Sequence, residues 1–171
     1  MSKPCSPREA IRFDFIDGGN CLFAALAFAQ FDAKGHVNVS RFDGFNPGAG
    51  SFIDIAYHAR ELVLTGTFTA GGLKVDLGNG GLRVVAEGKI RKLVQTVEPI
   101  TYPLRKGVAE RGQRAKLVTE RALFQVDPDG LVLTEIAKGV DVRKDVLEQM
   151  DFQPRRIVDP FPYMEEALFA G

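Results

Sequence analysis

The chain has 171 residues, 45% hydrophobic and 26% charged, which is the composition of an ordinary globular domain large enough to bury a normal core. Its 22 Lys and Arg residues are balanced by 22 Asp and Glu residues, so no basic field favours nucleic acid as a partner. The longest apolar run, at residues 22–29, is too short to cross a bilayer, which argues against a membrane protein.

The N-terminal residues and the two cysteines indicate the compartment. Residues 1–9 are polar and lack the apolar region of a secretory signal. Cys5 and Cys21 are spaced neither like metal ligands nor like a redox pair, so both are expected to be reduced thiols. We therefore predict a cytoplasmic protein without a disulfide framework.

The first half of the chain predicts strands on either side of a glycine-rich loop. Residues 22–29 form a continuous apolar run that predicts a strand buried on both faces, closed by a turn over residues 30–35. Residues 37–40 alternate like a short strand, residues 52–61 can begin a helix, and residues 62–68 predict another buried strand. The glycine-rich loop therefore connects a strand with a helix.

The second half predicts β-hairpins. Residues 73–77 and 82–86 flank Asn79-Gly80, a pair typical of tight two-residue turns, and residues 92–97 are expected to extend this meander. The basic run from Lys89 to Lys92 is assigned to a solvated strand edge rather than to a functional patch.

Further strands and one helix are predicted toward the C-terminus. The strands are expected at residues 116–119, 122–126 and 131–136, with a turn at Asp127-Pro128-Asp129-Gly130 between the last two. Asp141 is expected to cap a helix whose apolar face consists of Val142, Val146, Leu147 and Met150. The Pro-rich residues from Gln153 onward are predicted to be extended.

The loop at residues 44–52 is the first candidate site. Gly44, Pro47, Gly48 and Gly50 stand close together there, which indicates positive φ angles or a close approach of the backbone to a ligand. Backbone N–H groups at close range meet the requirement for binding an oxyanion or a thioester carbonyl oxygen. The alternative is a connection without a special function.

Other residue types offer less chemistry. His36 and His58 have no second His or Cys at a metal-ligand spacing, so we predict structural or surface roles for them and no metal site. Neither Ser40 nor Ser51 lies in a Gly-x-Ser-x-Gly elbow. Residues 48–50 lack the lysine of a P-loop and the third glycine of a dinucleotide fingerprint, so nucleotide hydrolysis is not supported.

Seven segments carry a family pattern in chain order. They are Phe13-Asp14-Phe15-Ile16-Asp17-Gly18-Gly19, Gly35-His36-Val37-Asn38-Val39-Ser40-Arg41-Phe42, Gly48-Ala49-Gly50-Ser51-Phe52-Ile53-Asp54, Gly66-Thr67-Phe68-Thr69-Ala70-Gly71-Gly72-Leu73, Thr119-Glu120-Arg121-Ala122-Leu123-Phe124, Glu135-Ile136-Ala137-Lys138-Gly139-Val140-Asp141 and Met150-Asp151-Phe152. Together they closely resemble the family I coenzyme A transferases, and most of all the closing part of the acetate or propionate CoA-transferase subgroup. The resemblance extends from Phe13 to Phe169.

The resemblance implies a layered α/β fold and a ping-pong reaction. Residues 13–171 would be the C-terminal part of a CoA-transferase domain with a hairpin-rich second half, and residues 1–12 an N-terminal tail. The reaction moves CoA between an acyl-CoA and a free carboxylate through a glutamyl thioester. Coenzyme A is then a substrate, and no cofactor is permanently bound.

The resemblance also assigns roles to individual residues. Gly50 would donate its backbone N–H to the oxyanion. The residues assigned to substrate binding are Gly48, Ala49, Ser51, Phe52, Asn38, Ser40 and Arg41. Ser51 departs from the glycine usual in the family, which implies an altered pocket.

The nucleophile is the main departure from the family pattern. The family places its glutamate in a Glu-Ser-Gly or Glu-Asn-Gly motif upstream of the Phe-Asp-Phe segment, and these 171 residues contain no such motif, Glu87-Gly88 being the nearest. We therefore expect a chain that is inactive alone. It is either completed by a polypeptide carrying the glutamate, or an inactive gene remnant, or a noncatalytic acyl-CoA-binding or interaction module. Apolar surface left uncovered would be exposed or buried in a homo-oligomer.

Overall fold

The computed structural model describes residues 21–42, 44 and 48–170. The strands of this part, in chain order, are β1 (Phe23–Ala27), β2 (Gln30–Asp32), β3 (Val37–Asn38), β4 (Glu61–Thr65), β5 (Thr69–Ala70), β6 (Lys74–Gly78), β7 (Gly81–Ala86), β8 (Ile90–Arg91), β9 (Leu93–Val94), β10 (Arg114–Val118), β11 (Ala122–Asp127), β12 (Gly130–Ile136) and β13 (Arg156–Ile157). The helices are α1 (Phe52–His58) and α2 (Leu104–Arg111), with a π-helical segment at Val142–Val146 and 3₁₀ segments at Leu147–Gln149 and Glu166–Phe169. The predicted N-terminal tail and the Phe13 to Gly19 motif lie outside the described residues.

The largest sheet confirms the α/β prediction. Its order is β1-β4-β10-β11-β12-β13, with β1, β4 and β10 parallel and β10, β11 and β12 antiparallel. Strand β4 lies between β1 and β10, and its Leu62 and Leu64 are fully buried, as the apolar run predicted. The carboxyl ends of the three parallel strands therefore meet at one edge of the sheet, where α/β proteins bind ligands.

Strand β1 corrects the first prediction. A strand buried on both faces was expected, but Leu22 is 63% and Phe23 59% exposed, while Ala24 is buried. Within the described chain β1 pairs with β4 alone, at the end of the strand order. A continuous apolar run indicates burial on both faces only where layers cover both faces, and here one face of the strand is uncovered.

Segments 30–35 and 92–97 also differ from the prediction. Gln30–Asp32 is strand β2, and only the part from Asp32 to Gly35 forms the turn, with the Gly35 N–H bonded to the Asp32 carbonyl at 2.9 Å. Strand β8 pairs with β5, whereas β9 pairs in parallel with β2, so residues 92–97 do not extend the hairpin. Because the chain changes sheets between β8 and β9, Lys92 turns inward and is only 6% exposed, not solvated as expected.

Several turn and cap predictions are confirmed. Asn79 and Gly80 both have positive φ angles, 53° and 68°, in a two-residue turn between β6 and β7. Residues 127–130 connect β11 with β12. The Asp141 carboxylate accepts a hydrogen bond from the Lys144 N–H at 2.8 Å, capping a π-helical rather than an α-helical segment. The tail contains the short strand β13 and the 3₁₀ turn at Glu166–Phe169, and its other described residues have no regular secondary structure.

Candidate functional site

A cavity of about 450 Å³ opens where β1 and β4 end. Its walls come from the end of β1, the residues after β3, the glycine loop and the segment between β8 and β9. The lining residues are Ala27, Phe28, Ala29, Val39, Phe42, Gly48, Ala49, Phe52 and Lys92. Among the described residues that line it, the cavity is therefore apolar apart from backbone groups and one charge, that of Lys92.

The glycine loop forms one wall because its backbone requires left-handed conformations. Gly48 has φ 79° and Gly50 φ 54°, and a Cβ added at either would meet no atom within 4 Å. These glycines are thus needed for positive φ rather than for close packing within the chain. Within the described part, the Phe52 N–H bonds to the Ala49 carbonyl at 3.1 Å, and the Gly50 N–H has no acceptor.

The predicted polar pocket residues build the wall without lining it. The Asn38 amide donates to Gln30 Oε1 at 3.0 Å and to the Arg41 carbonyl at 2.6 Å, and its Oδ1 accepts from the N–H groups of Ser40 and Arg41. Ser40 Oγ is 3.2 Å from Thr101 Oγ1. Asn38 thereby folds the chain so that Val39 and Phe42 face the cavity. Substrate contacts by Asn38, Ser40 and Arg41 remain predictions.

The remaining predicted loop residues stand as follows. Gly48, Ala49 and Phe52 line the cavity, and Phe52 is 7% exposed. Gly50 and Ser51 lie between them in the chain but are not among the residues that line the cavity, and Gly50 is exposed. The Ser51 carbonyl accepts the Ile55 N–H at 3.1 Å as α1 begins. The roles assigned to these five residues remain predictions.

Lys92 is the residue that sequence reasoning missed. Its Nζ lies 4.1 Å from the centroid of the Phe28 ring, and a Cβ at Gly66 would approach Nζ to 2.7 Å. Burial lowers the pKa of Lys92 to about 8, against the opposing charge of Glu120. The sequence feature that could have indicated it is Gly66, directly after β4, which leaves room for the long side chain of Lys92 to pass.

A second buried cation lies behind this wall. Arg121 is 0% exposed and donates to both carboxylate oxygens of Glu87, at 2.6 and 3.0 Å, and to Glu120 at 2.7 Å. Burial alone would raise the pKa of Glu87, but hydrogen bonds from Arg121 and Thr69 and the charge of Arg121 hold it below 4.5. Glu87, the nearest sequence match to the family glutamate, is therefore fully engaged.

A larger cavity, about 570 Å³, lies at the opposite, amino ends of the parallel strands. Three arginines border it, but two of them are engaged. Arg111 stacks on Tyr57 at 4.3 Å and donates to the Tyr102 hydroxyl, and Arg114 pairs with Glu61 at 2.9 Å. Arg60 also borders this cavity, so an unpaired charge does not distinguish the two, and it is the position at the carboxyl ends of the parallel strands that favours the smaller cavity as the candidate site.

The histidines and the cysteine in the part that the structure describes form no further candidate site. His36 Nδ1 contacts Asp32 Oδ2 at 3.1 Å, and His58 Nδ1 contacts the Asp54 carbonyl at 2.9 Å. Cys21 is a free thiol, and Cys5 lies outside the described residues. Residues 21–42, 44 and 48–170 contain no cluster of three metal-ligating side chains, and no helix in that part has the length and hydropathy of a membrane span.

Comparison with known proteins yields relatives that are much longer than this chain. No protein-family model matches it. It is 42% identical over 159 residues to the acetate CoA-transferase YdiF of Escherichia coli O157:H7, covering 92% of this chain and 29% of that protein. It is 38% identical over 163 residues to a caffeate CoA-transferase of Acetobacterium woodii, covering 92% and 30%. The chain thus spans less than a third of the length of these relatives.

Solved structures agree in fold. The crystal structure of the acyl-CoA transferase YdiF apoenzyme from Escherichia coli O157:H7 superposes with a TM-score of 0.89 at 41% identity, over 94% of this chain and 31% of that one. The same values hold for the thioester complex of that transferase with CoA. The decarboxylase AibA/AibB, at 15% identity and a TM-score of 0.63, shares the fold alone.

Proposed function

We propose that this chain supplies the C-terminal part of an acyl-CoA:carboxylate CoA-transferase active site. The premise is that the chain belongs to the CoA-transferase family over the portion that it shares with its longer relatives. The observation that carries the proposal is the apolar cavity at the carboxyl ends of β1 and β4, one wall of which is formed by Gly48, Ala49 and Phe52 of the glycine loop. A thioester and its acyl group are chemically suited to such a cavity.

The reaction would follow the family's ping-pong course. A glutamate carboxylate attacks the thioester carbonyl, the C–S bond breaks, and an acyl-glutamyl anhydride and CoA thiolate form. The thiolate then attacks the glutamyl carbonyl, releasing the first carboxylate and leaving a glutamyl-CoA thioester. An acceptor carboxylate reverses both steps, so the new acyl-CoA leaves and the glutamate is restored.

The loop would contribute electrostatic stabilisation in each addition step. Negative charge develops on the carbonyl oxygen, and the Gly50 N–H, which has no acceptor in the described part, is the proposed donor. Such a donor is worth on the order of 3 kcal/mol when it is fixed in an apolar, water-poor site.

The nucleophile would come from outside these 171 residues. No glutamate here stands in a Glu-Ser-Gly or Glu-Asn-Gly motif, and Glu87 is held by Arg121, Thr69 and Gly88. We propose a polypeptide segment carrying the glutamate as the partner, with acyl-CoA and a carboxylate as substrates, in the cytoplasm. The exposed Leu22, Phe23 and Tyr57 are candidates for the surface that meets this segment or a second copy of the chain.

A noncatalytic role is the second candidate. Because the cavity is present while the glutamate motif is absent, the chain can serve as an acyl-CoA-binding or interaction module, or be an inactive remnant. The module would bind an acyl-CoA without transfer, and the remnant would bind none.

Carboxylate exchange tests the proposal. The purified chain is mixed with propionyl-CoA and ¹³C-acetate, with and without a polypeptide that carries the Glu-Ser-Gly or Glu-Asn-Gly segment of a relative. We expect labelled acetyl-CoA only in the mixture with that polypeptide. A matched control replaces the glutamate of the added polypeptide by glutamine, which should abolish exchange. Acyl-CoA binding with no exchange in any mixture would favour the noncatalytic module.

A further inference from the structure

One charged side chain, that of Lys92, lies among the described residues that line the cavity at the carboxyl ends, and the proposed loop chemistry gives it no role. Lys92 lines the cavity beside Phe28, Gly48 and Phe52. The residue is 6% exposed, and its Nζ lies 4.1 Å from the centre of the Phe28 ring. A charge in such a position is maintained against a substantial desolvation penalty.

Lys92 is supported by its neighbours but not neutralised by them. Gly66 leaves room for Nζ, which lies 2.7 Å from the position that a Cβ there would occupy. Within the described part of the chain the carboxylate that acts on the charge of Lys92 is Glu120, whose oxygens are already bonded to the Phe68 N–H at 2.8 Å and to Arg121 Nε at 2.7 Å. Among the described residues no carboxylate lies within ion-pair distance of Lys92, and its ammonium donates no side-chain hydrogen bond to any of them.

The shape and polarity of the cavity define the ligand that would complete this site. Apart from Lys92, Gly48 and Ala49, the described residues that form the walls are Ala27, Phe28, Ala29, Val39, Phe42 and Phe52. One cation among apolar walls matches a ligand with one anionic end and an apolar remainder, and it disfavours a second charge that would be buried unpaired.

We propose that Lys92 is the anchor for the carboxylate group of a small apolar monocarboxylate bound in this cavity. This proposal rests on the proposed function for the identity of the ligand, because the free acid that the transferase would release or accept is such a monocarboxylate. Lys92 would then determine specificity by attracting the acid group, while the apolar walls limit the size of its tail.

The acid–base state of Lys92 agrees with this role. Burial brings its pKa to about 8, with the charge of Glu120 opposing the shift, so the ammonium form still predominates at pH 7. A bound carboxylate adds an opposite charge and should raise the pKa of Lys92. By linkage, the acid should bind more weakly as the pH rises through the pKa of the free protein, near 8.

The experiment follows the Lys92 ammonium directly by NMR on the whole chain labelled with ¹³C/¹⁵N-lysine. Sodium butyrate is the probe, n-butanamide its uncharged counterpart and succinate the doubly charged one. Lys92→Met removes the charge, and Lys89→Met removes an exposed lysine of the same basic run as a matched control. Circular dichroism confirms that each variant is folded.

We expect butyrate to shift the Lys92 signal and raise its pKa, with succinate and butanamide binding at least tenfold more weakly. Lys92→Met should weaken butyrate binding at least tenfold, and Lys89→Met should leave it within twofold. The proposal is overturned if butyrate leaves the Lys92 signal unmoved, or if it binds Lys92→Met as tightly as the wild type. The wild-type titration decides the matter even if a variant misfolds.

These results are separable from the transfer reaction. The titration needs only this chain, so butyrate binding at Lys92 without any carboxylate exchange would reject the proposed transferase and leave the carboxylate site standing. If the wild type and Lys92→Met support carboxylate exchange equally well and butyrate has no effect on the Lys92 signal, the carboxylate site is rejected and the proposed transferase is retained.

Discussion

Two buried cations, Arg121 and Lys92, lie close to one edge of the same sheet and differ in their partners. Arg121 is 0% exposed and has Glu87, Glu120, the Asp145 carbonyl and the Phe68 ring as partners. Lys92 is 6% exposed and has an aromatic ring but no ion pair in the described part of the chain. The comparison separates a charge that joins structural elements from one that is left available to a ligand.

The difference follows from the geometry of the two side chains. The planar guanidinium of Arg121 reaches Glu87 with two nitrogens and Glu120 with a third, joining the ends of β7, β10 and the π-helical segment. The single ammonium of Lys92 lines a cavity in which no described residue supplies an acid. Removing the charge of Arg121 should therefore lower the free energy of unfolding, and removing the charge of Lys92 should raise it.

The largest effect is expected for Arg121→Ala. The change leaves Glu87 and Glu120 partly buried without their cation, so the free energy of unfolding should fall by about 3–5 kcal/mol. Urea unfolding at pH 7 measures it. The matched control is Arg83→Ala, which breaks the exposed pair with Asp76 and should change stability by at most about 0.5 kcal/mol. Equal effects of the two substitutions would contradict the structural role of Arg121.

Acid unfolding sharpens the same point. The pKa of Glu87 is lowered in the folded state, so the stabilisation by its charge is present at neutral pH and is lost as the pH falls below 4.5. Glu87→Gln should lower stability at pH 7 and flatten its decline in the window below pH 4.5. An unchanged slope in that window would show that Glu87 is not the group being titrated.

Lys92→Met should act in the opposite direction. In the folded state the pKa of Lys92 is about 8, below its usual 10.5, so burial of the charged form costs stability. Replacing it by an apolar side chain of similar length should raise the free energy of unfolding at pH 7 by about 1–3 kcal/mol.

The pH dependence of Lys92→Met supplies its check. Between pH 8 and 10.5 the unfolded wild type binds more protons at this position than the folded wild type, so wild-type stability rises with pH there. The advantage of Lys92→Met should therefore be largest below pH 8 and shrink toward pH 10.5. A destabilised variant, or a gap independent of pH, would show that Lys92 is a structural residue like Arg121.

A smaller effect is expected for Asn38→Ala. Asn38 is fully buried, and its amide makes four hydrogen bonds that shape the wall before the glycine loop. Losing them should cost about 1–3 kcal/mol, against less than about 1 kcal/mol for Ser40→Ala, which loses one side-chain contact. Thermal unfolding of the two variants side by side measures this, and similar melting temperatures would contradict it.

The smallest effect is expected for Gly50→Ala. Its φ of 54° disfavours a side chain, but an added Cβ meets no atom within 4 Å, so the loss should be about 1 kcal/mol. Gly81→Ala is the contrasting variant, because its Cβ would lie 2.4 Å from the Lys138 carbonyl oxygen. Calorimetry should show a clearly larger loss for Gly81→Ala.

The sequence anticipated features that local chemistry determines. The turn at Asn79-Gly80, the helix that begins at Phe52 and the Asp141 cap depend on neighbouring residues and were predicted correctly. The family resemblance directed attention to the loop at residues 48–52, which forms a wall of the cavity.

The features that were missed depend on distant contacts. Lys92 turns inward because β8 and β9 join different sheets, which its position in a basic run does not reveal. Glu87 and Arg121 are 34 residues apart, so their pairing leaves no local signal. Helix α2 was not predicted because it is short and has Gly107 inside, where packing against Tyr102 and Gln113 overrides a poor helix propensity.

The most direct test of the central claim locates the CoA thioester by intact-mass measurement. The chain is incubated with an acyl-CoA alone and then with the glutamate-bearing polypeptide. The account predicts that this chain keeps its mass of 18.7 kDa in both cases and that CoA appears on the added polypeptide. CoA attached to any glutamate of this chain, with Glu87 the first to examine, would contradict the claim that these residues build the cavity and lack the nucleophile.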